Sequence, residues 1–172
     1  MTDQVIQRNF IEKLNINIAM TKPGTWFYSK MLHHFDRAML RMSKGRTTLT
    51  SVLTGLPMVT LTTKGAKSSQ PRSVPLIGIS DGEKIILIAT NWGQKHYPSW
   101  YINLRACPEA TITTTSETRA CIAHEADKAE TERYWPQAVM LYPGYERYKA
   151  RIGDSRRIPI IVMEPNLPLS HR

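Results

Sequence analysis

Cysteine is almost absent from this chain. Its 172 residues include only Cys107 and Cys121, which have neither CxxC nor Cys/His ligand spacing, and this argues against a structural zinc site. Long apolar runs are missing too: no stretch approaches the roughly 18 apolar residues of a membrane span. The opening MTDQVIQRNF has no basic segment leading into an apolar one, so no secretory signal is read there. Together these predict a cytoplasmic protein with reduced thiols. There is no GxGxxG and no Walker sequence, so the standard dinucleotide and nucleotide loops are missing. Acidic residues are scarce in one half. Residues 1–75 hold 3 Asp/Glu against 11 Lys/Arg, whereas residues 76–172 hold 11 against 12. An asymmetry of this kind points to a polyanionic partner, whether nucleic acid, an anionic membrane surface or a multiply charged cofactor.

What is present is ordinary globular material. The chain is 41% hydrophobic and 22% charged, enough for one domain that buries roughly 70% of its unfolded surface. No repeat, low-complexity tract or long linker divides it, and residues 48–165 are read as the body, residues 1–47 as an arm and 166–172 as a tail. In the arm, Tyr28, Met31, Leu32, Phe35, Met39 and Met42 recur at helical spacing opposite Lys30, His33, Asp36, Arg37 and Arg41, which predicts a basic amphipathic helix. Such a helix either packs on its own body or lies, through residues 22–47, on an anionic membrane from the cytoplasmic side. His33 and His34 lack acidic or cysteine partners at ligand spacing and are read as solvated, so no metal site is assigned.

Strand texture starts at Pro57. Segments 58–63, 72–80 and 83–90 are rich in Val, Ile, Leu and Thr, and Asp81-Gly82 predicts a hairpin with a type I′ turn between the last two. Pro98 opens a short helix that Pro108 stops. Strands follow at about 109–115 and 118–125. Asp127 and Glu130 form a capping-box pattern for a helix to about Tyr142, which Pro136 should kink or split. Pro143-Gly144 restarts a short helix, and 158–164 is the last strand. Strands dominate without regular alternation with helices, which predicts a mainly antiparallel barrel with peripheral helices.

The segment Thr62–Arg72 is a strand end, a turn and a strand start with three cations and two serines. Gly65 permits close backbone approach, free amides and the Ser68 and Ser69 hydroxyls can donate, and Lys67 and Arg72 supply charge, so the segment is suited to an anion. A solvated basic turn is the competing reading. Four further segments accompany it: Arg72-Ser-Val-Pro-Leu76; Ala89-Thr-Asn-Trp-Gly93; Pro98-Ser-Trp-Tyr-Ile-Asn-Leu-Arg-Ala-Cys-Pro108; and Trp135-Pro136 with Tyr142-Pro-Gly-Tyr145. In this order, and with the closing IPIIVMEP, residues 58–165 resemble the deazaflavin (coenzyme F420)-dependent nitroreductase family, whose members show a TTxGrKSGxPR segment, a PxWYxNLxAnP helix and a late YPgY.

The resemblance implies an α+β, mainly β fold: a split β-barrel of the FMN-binding type with peripheral helices and an N-terminal amphipathic helical arm. It also implies reduced F420 as hydride donor, its phosphate and polyglutamate tail being the polyanion, and a small electron-poor acceptor such as a quinone, an enone or a nitroaromatic. The implied cofactor contacts are Ala66, Lys67, Ser68 and Arg72 on the tail, then Ser73, Val74, Pro75, Leu76 and Ile77 along the cofactor. Ile88, Ala89, Thr90 and Asn91 edge the ring, and Ser99, Trp100, Tyr101, Ile102 and Asn103 come from the covering helix. Tyr145, also a cofactor contact, is the main acceptor-side residue, with Tyr142, Tyr148 and Thr90 beside it. Two residues depart from the family pattern. Ser69 stands where glycine is usual, which predicts a tighter or differently shaped tail-binding turn, and Trp92 adds bulk near the ring.

Other readings remain at this stage. One is a split barrel that binds FMN or heme and does not use F420; another is a membrane-associated ligand-binding protein without catalysis. Nucleic acid is not expected, because no basic face is interleaved with base-stacking aromatics. Oligomeric state is not readable from the sequence.

Overall fold

A computed structural model describes residues 55–166; the helical arm expected over 1–47, with the membrane contact expected through 22–47, and the tail beyond Asn166 lie outside the described residues. Seven strands form one antiparallel sheet: β1 (Met58–Lys64), β2 (Pro71–Ile77), β3 (Ile79–Asp81), β4 (Lys84–Ile88), β5 (Glu109–Thr113), β6 (Thr118–Glu125) and β7 (Ile160–Pro165), in the order β2-β1-β5-β6-β7-β4-β3. Among the described residues three α-helices accompany them: α1 (Ser99–Ala106), α2 (Lys128–Leu141) and α3 (Gly144–Ile152).

The two edge strands, β2 and β3, are consecutive in the chain and separated by Gly78 alone. The sheet therefore curls until its edges meet at that residue. This breaks the strand expected over 72–80: its first part pairs with β1 (Val59↔Leu76) and its second with β4 (Ile79↔Ile86). Glycine is required at the junction for space. A Cβ there would lie 2.7 and 3.0 Å from the two methyls of Val59 and 3.1 Å from Ile85 Cγ2. The Gly78 amide donates to the Pro57 carbonyl instead of continuing a ladder.

Alternation on the strands separates two cores. Val59 and Leu61 of β1, Ile85 and Leu87 of β4, Ile112 of β5, Cys121 of β6 and Ile161 and Met163 of β7 fill the curl, and Trp100, Tyr101 and Leu104 of α1 pack onto them. On the opposite face of β4 and β7, Ile86, Ile88, Ile160 and Val162 meet Tyr134 and Ala138 of α2, Tyr142, and Tyr145 and Tyr148 of α3. The period-2 pattern of these strands is thus buried on both faces.

Three local expectations change. The hairpin between β3 and β4 pairs Asp81 with Lys84, so its central residues are Gly82 and Glu83. Only Gly82 takes positive φ (+61°), which is the glycine-first pattern of a II′ turn and not I′. Pro136 does not split α2, which runs unbroken to Leu141. Its N-terminus carries the expected reciprocal cap: Glu130 N–H donates to Asp127 Oδ1 (2.8 Å) and Asp127 N–H to Glu130 Oε2 (3.1 Å). The strand expected to 115 stops at Thr113, where a turn bonds Thr114 N–H to the Glu117 carbonyl.

Candidate functional site

The cation-rich turn joins β1 to β2. Gly65 N–H donates to the Gln70 carbonyl (2.9 Å) and Ser69 N–H to the Gly65 carbonyl (2.8 Å), while Ala66 N–H donates to Asn103 Oδ1 on α1 (3.0 Å). Asn103 Nδ2 donates to Thr63 Oγ1 (3.0 Å), which itself reaches the Arg72 carbonyl (3.4 Å). Asn103, 8% exposed, thus bolts the β1 end of the turn to the helix, with both ends of its amide engaged by the protein. Ala66 N–H is likewise engaged. The amides of Lys67 and Ser68 have no partner among the described residues, and neither Lys64 nor Lys67 has an acidic partner there. Arg72 Nη2 lies 3.4 Å from Ser68 Oγ, so cation, hydroxyl and free amides converge on one exposed surface. Such a set of donors and charge suits a phosphate or carboxylate tail.

Ser69 sits at φ +56°, the left-handed region that glycine occupies without strain. The serine is accommodated by backbone strain of about 1 kcal/mol. Ser69→Gly is therefore expected to raise stability by a net of about 0.5 kcal/mol, because part of the relief is offset by the freer unfolded chain. Urea unfolding checks it.

The segment after β4 is the second component. Asn91 (φ +49°), Trp92 (+58°) and Gly93 (+78°) form three consecutive left-handed residues, closed by bonds from Gly93 N–H to the Thr90 carbonyl and from Gln94 N–H to the Asn91 carbonyl, both 3.0 Å. The Asn91 amide donates to the His96 carbonyl (3.2 Å). Arg156, just before β7, grips this loop from outside: Nη1 donates to the Ala89 carbonyl (3.1 Å), Nη2 to Thr90 (2.7 Å) and Gln94 (3.0 Å), and Nε to Gln94 (3.1 Å). Its guanidinium stacks over Tyr97, 5.0 Å from the ring centre. Burial lowers its pKa from the ordinary 12.5, with Tyr97 opposing. Sequence reading passed over Arg156. Its partners lie 62–67 residues away in the chain, and only the basic run Arg151, Arg156, Arg157 hinted at it.

The third component is aromatic. Tyr142 and Tyr148 share a hydroxyl–hydroxyl hydrogen bond of 3.0 Å, and Tyr145 stacks edge-on to Tyr142 at 5.3 Å. All three are at most 4% exposed, so they form a packed cluster, Tyr142 coming from the end of α2 and the other two from α3. Burial, with Tyr142 adding to it, pushes the Tyr145 hydroxyl well above its ordinary 10.0; burial followed by Tyr142 does the same for Tyr148. Both stay neutral donors at physiological pH. Trp92 meets Tyr148 edge-on at 6.3 Å, which joins the left-handed turn to the cluster.

The remaining predicted contacts divide between these surroundings. Val74, Leu76, Ala89 and Trp100 share the inner core, whereas Ile77 and Ile88 share the tyrosine side. Ser73 bonds Thr62 Oγ1 (2.9 Å) on the outer face, where Pro75 follows it at period 2. Tyr101 turns into the curl and its hydroxyl donates to Glu125 Oε2 (2.9 Å), making it a strut of α1. Ser99 is exposed at the first turn of α1, and Ile102 is 50% exposed on its outer side. Among the described residues no cluster of His, Cys, Asp or Glu could hold a metal, and no helix is long and apolar enough to cross a membrane.

With this geometry in view, the chain can be set beside known proteins. An F420H(2)-dependent quinone reductase of Mycobacterium tuberculosis (strain ATCC 25618 / H37Rv) is 34% identical over 114 residues, 62% of this chain and 72% of that one. A second protein of that organism, provisionally named for the same activity, is 31% identical over 110 residues, 64% of this chain and 91% of that one. The structure of an F420-H2 dependent reductase, FDR-A, superposes with a TM-score of 0.58 at 35% identity, covering 63% of this chain and 94% of that one. A family model described as F420H(2)-dependent quinone reductase matches residues 34–165. By that match the chain belongs to the F420H(2)-dependent quinone reductase family, an oxidoreductase family whose cofactor is reduced F420.

Proposed function

We propose that the chain holds F420 by its anionic tail on the turn 64–72 and reduces a quinone bound between the Thr90–Gly93 segment and the tyrosine cluster. The observation that carries this is the turn: two free amides, a serine hydroxyl, Lys67 and Arg72 converge there with no acidic partner among the described residues. When bound, reduced F420 supplies the hydride. Lys67, Ser68 and Arg72 fix its phosphate and glutamyl carboxylates, and Asn103 keeps the turn in shape from behind. Trp100 and the rest of α1 keep water from the inner side. Quinones are favoured over enones and nitroaromatics by the names of the relatives, and the buried aromatic wall suits a flat apolar ring.

Tyr145 is the acceptor-side donor in this reading. Burial keeps its hydroxyl protonated, and among the described residues that hydroxyl has no hydrogen-bond partner. It is free to donate to the quinone oxygen on which negative charge develops, while Tyr142 and Tyr148 engage each other. Thr90, 5% exposed, stands at the other side.

The test is an acceptor screen with reduced F420 against quinone, enone and nitro compounds, together with F420 and FMN titrations. Quinone turnover with F420 fluorescence quenching is expected; tight FMN binding without F420 quenching would overturn the reading. Tyr145→Phe should lower turnover about tenfold, the upper end for a neutral hydrogen bond worth about 0.5–1.5 kcal/mol, and change F420 affinity less. Equal losses in both would refute the division of roles.

A further inference from the structure

We propose that Arg156 is a positioning residue that acts through Trp92: by tying three loop carbonyls together it locks a strained left-handed turn, and the indole so held forms the specificity wall for the acceptor. This rests on the acceptor site proposed above.

A bulky residue at positive φ is a backbone outlier, and such strain persists only where the surroundings over-determine it. Here Asn91 and Trp92 are both left-handed. Beside the bond from the Asn91 amide to the His96 carbonyl and the turn's own backbone bonds, one guanidinium donates to the carbonyls of Ala89, Thr90 and Gln94 and so brackets the turn on both sides. The turn has no room to relax inward: a Cβ on Gly93 would stand 3.2 Å from the Tyr148 backbone Cα and 3.1 Å from Arg151 Cδ. Trp92 nevertheless remains 38% exposed, with its edge on Tyr148. A large aromatic, strained, partly open to solvent and seated beside the tyrosine cluster contributes little to the core. It is placed to stack on a flat ligand entering there. The site for the cofactor tail lies on a different hairpin, so it should not feel a change at Arg156.

The experiment uses the full chain with Arg156→Ala, Arg156→Lys, Trp92→Gly and the double variant Arg156→Ala/Trp92→Gly. Hydrogen exchange on the protein without cofactor should be faster at the Gly93 and Gln94 amides in both Arg156 variants. The quinone KM should rise about tenfold in Arg156→Ala, the scale of a modest misplacement of a binding group, and more than the F420 dissociation constant, since the cofactor tail is held on the turn 64–72 and only its ring edge meets residues 88–91. Lysine should not rescue, because a single ammonium cannot reproduce the fork. Trp92→Gly, unstrained at this φ and therefore a folded control, should raise KM similarly. The double variant should be no worse than either single one, as expected for residues acting as a unit. Additive effects, or an unchanged KM in Arg156→Ala despite faster exchange, would overturn the inference and leave the function standing. Wild-type protein that binds F420 but turns over no quinone would overturn the acceptor reading and the role of Trp92 with it.

Discussion

Replacing Lys67 and Arg72 together by alanine is expected to weaken F420 binding about 100-fold, from charge-assisted hydrogen bonds worth about 1.5–3 kcal/mol each in protected sites. Both side chains are exposed, so each is taken at the low end of that range. The loss should be largest at low salt and shrink as ionic strength rises, because a multiply charged tail is drawn to the turn over a screened distance. Turnover at saturating cofactor should change little, since neither residue lies beside the tyrosines or Trp92. Lys128→Ala, on the exposed face of α2 with a side chain 92% exposed, removes a charge without touching the turn and should do nothing. Equilibrium titration of F420 fluorescence checks this. A loss below about threefold would mean that the turn is only a solvated basic hairpin.

The second large effect is on stability. Gly78→Val is expected to cost about 3 kcal/mol or more, at or beyond the top of the range for overpacking a well-filled core. The neighbours that would have to yield are the methyls of Val59 and Ile85, which are 6% and 4% exposed and stiff because both residues are β-branched. The clash lies where the two edges of the sheet meet, so relief by local movement would open the curl between β2 and β4. Gly78→Ala should cost less but still lower the unfolding midpoint, by several degrees on the usual scale of about 2–4 °C per kcal/mol for a chain of this size. Urea unfolding of both variants tests this, and a neutral Gly78→Ala would show that the closure is looser than its distances indicate.

Legibility followed the range of the interactions involved. The capping box of α2, the Pro98 start of α1 and the β4 and β7 strands were readable, since each is determined by residues a few positions apart. The break at Gly78 was not, because nothing in Val-Pro-Leu-Ile-Gly-Ile-Ser says that Val59 and Ile85 approach from both sides. The cation-rich turn was recognisable as a cluster, but that Asn103 fastens it from α1 rests on contacts 37 and 40 residues apart. The family resemblance singled out the three tyrosines. It could not reveal that Tyr142 and Tyr148 share a hydroxyl–hydroxyl hydrogen bond across two helices. Arg156 illustrates the limit most clearly: an arginine that donates to main-chain carbonyls imposes no side-chain pattern on its partners.

The place of β7 in the sheet has a consequence for synthesis. The last strand among the described residues, Ile160–Pro165, lies between β6 and β4, with Ile85 opposite Met163 and Cys121 opposite Pro165. While a ribosome is still completing the chain, β4 and β6 each present an unpaired edge, and the apolar row Ile85–Ile88 lacks its neighbour. Such contacts between distant parts of the sequence form late and leave sticky intermediates. A nascent chain of this protein therefore stays vulnerable to aggregation until residue 165 has left the exit tunnel. A chain truncated before Ile160 should accumulate as insoluble material or bound to chaperones, not as a smaller working enzyme.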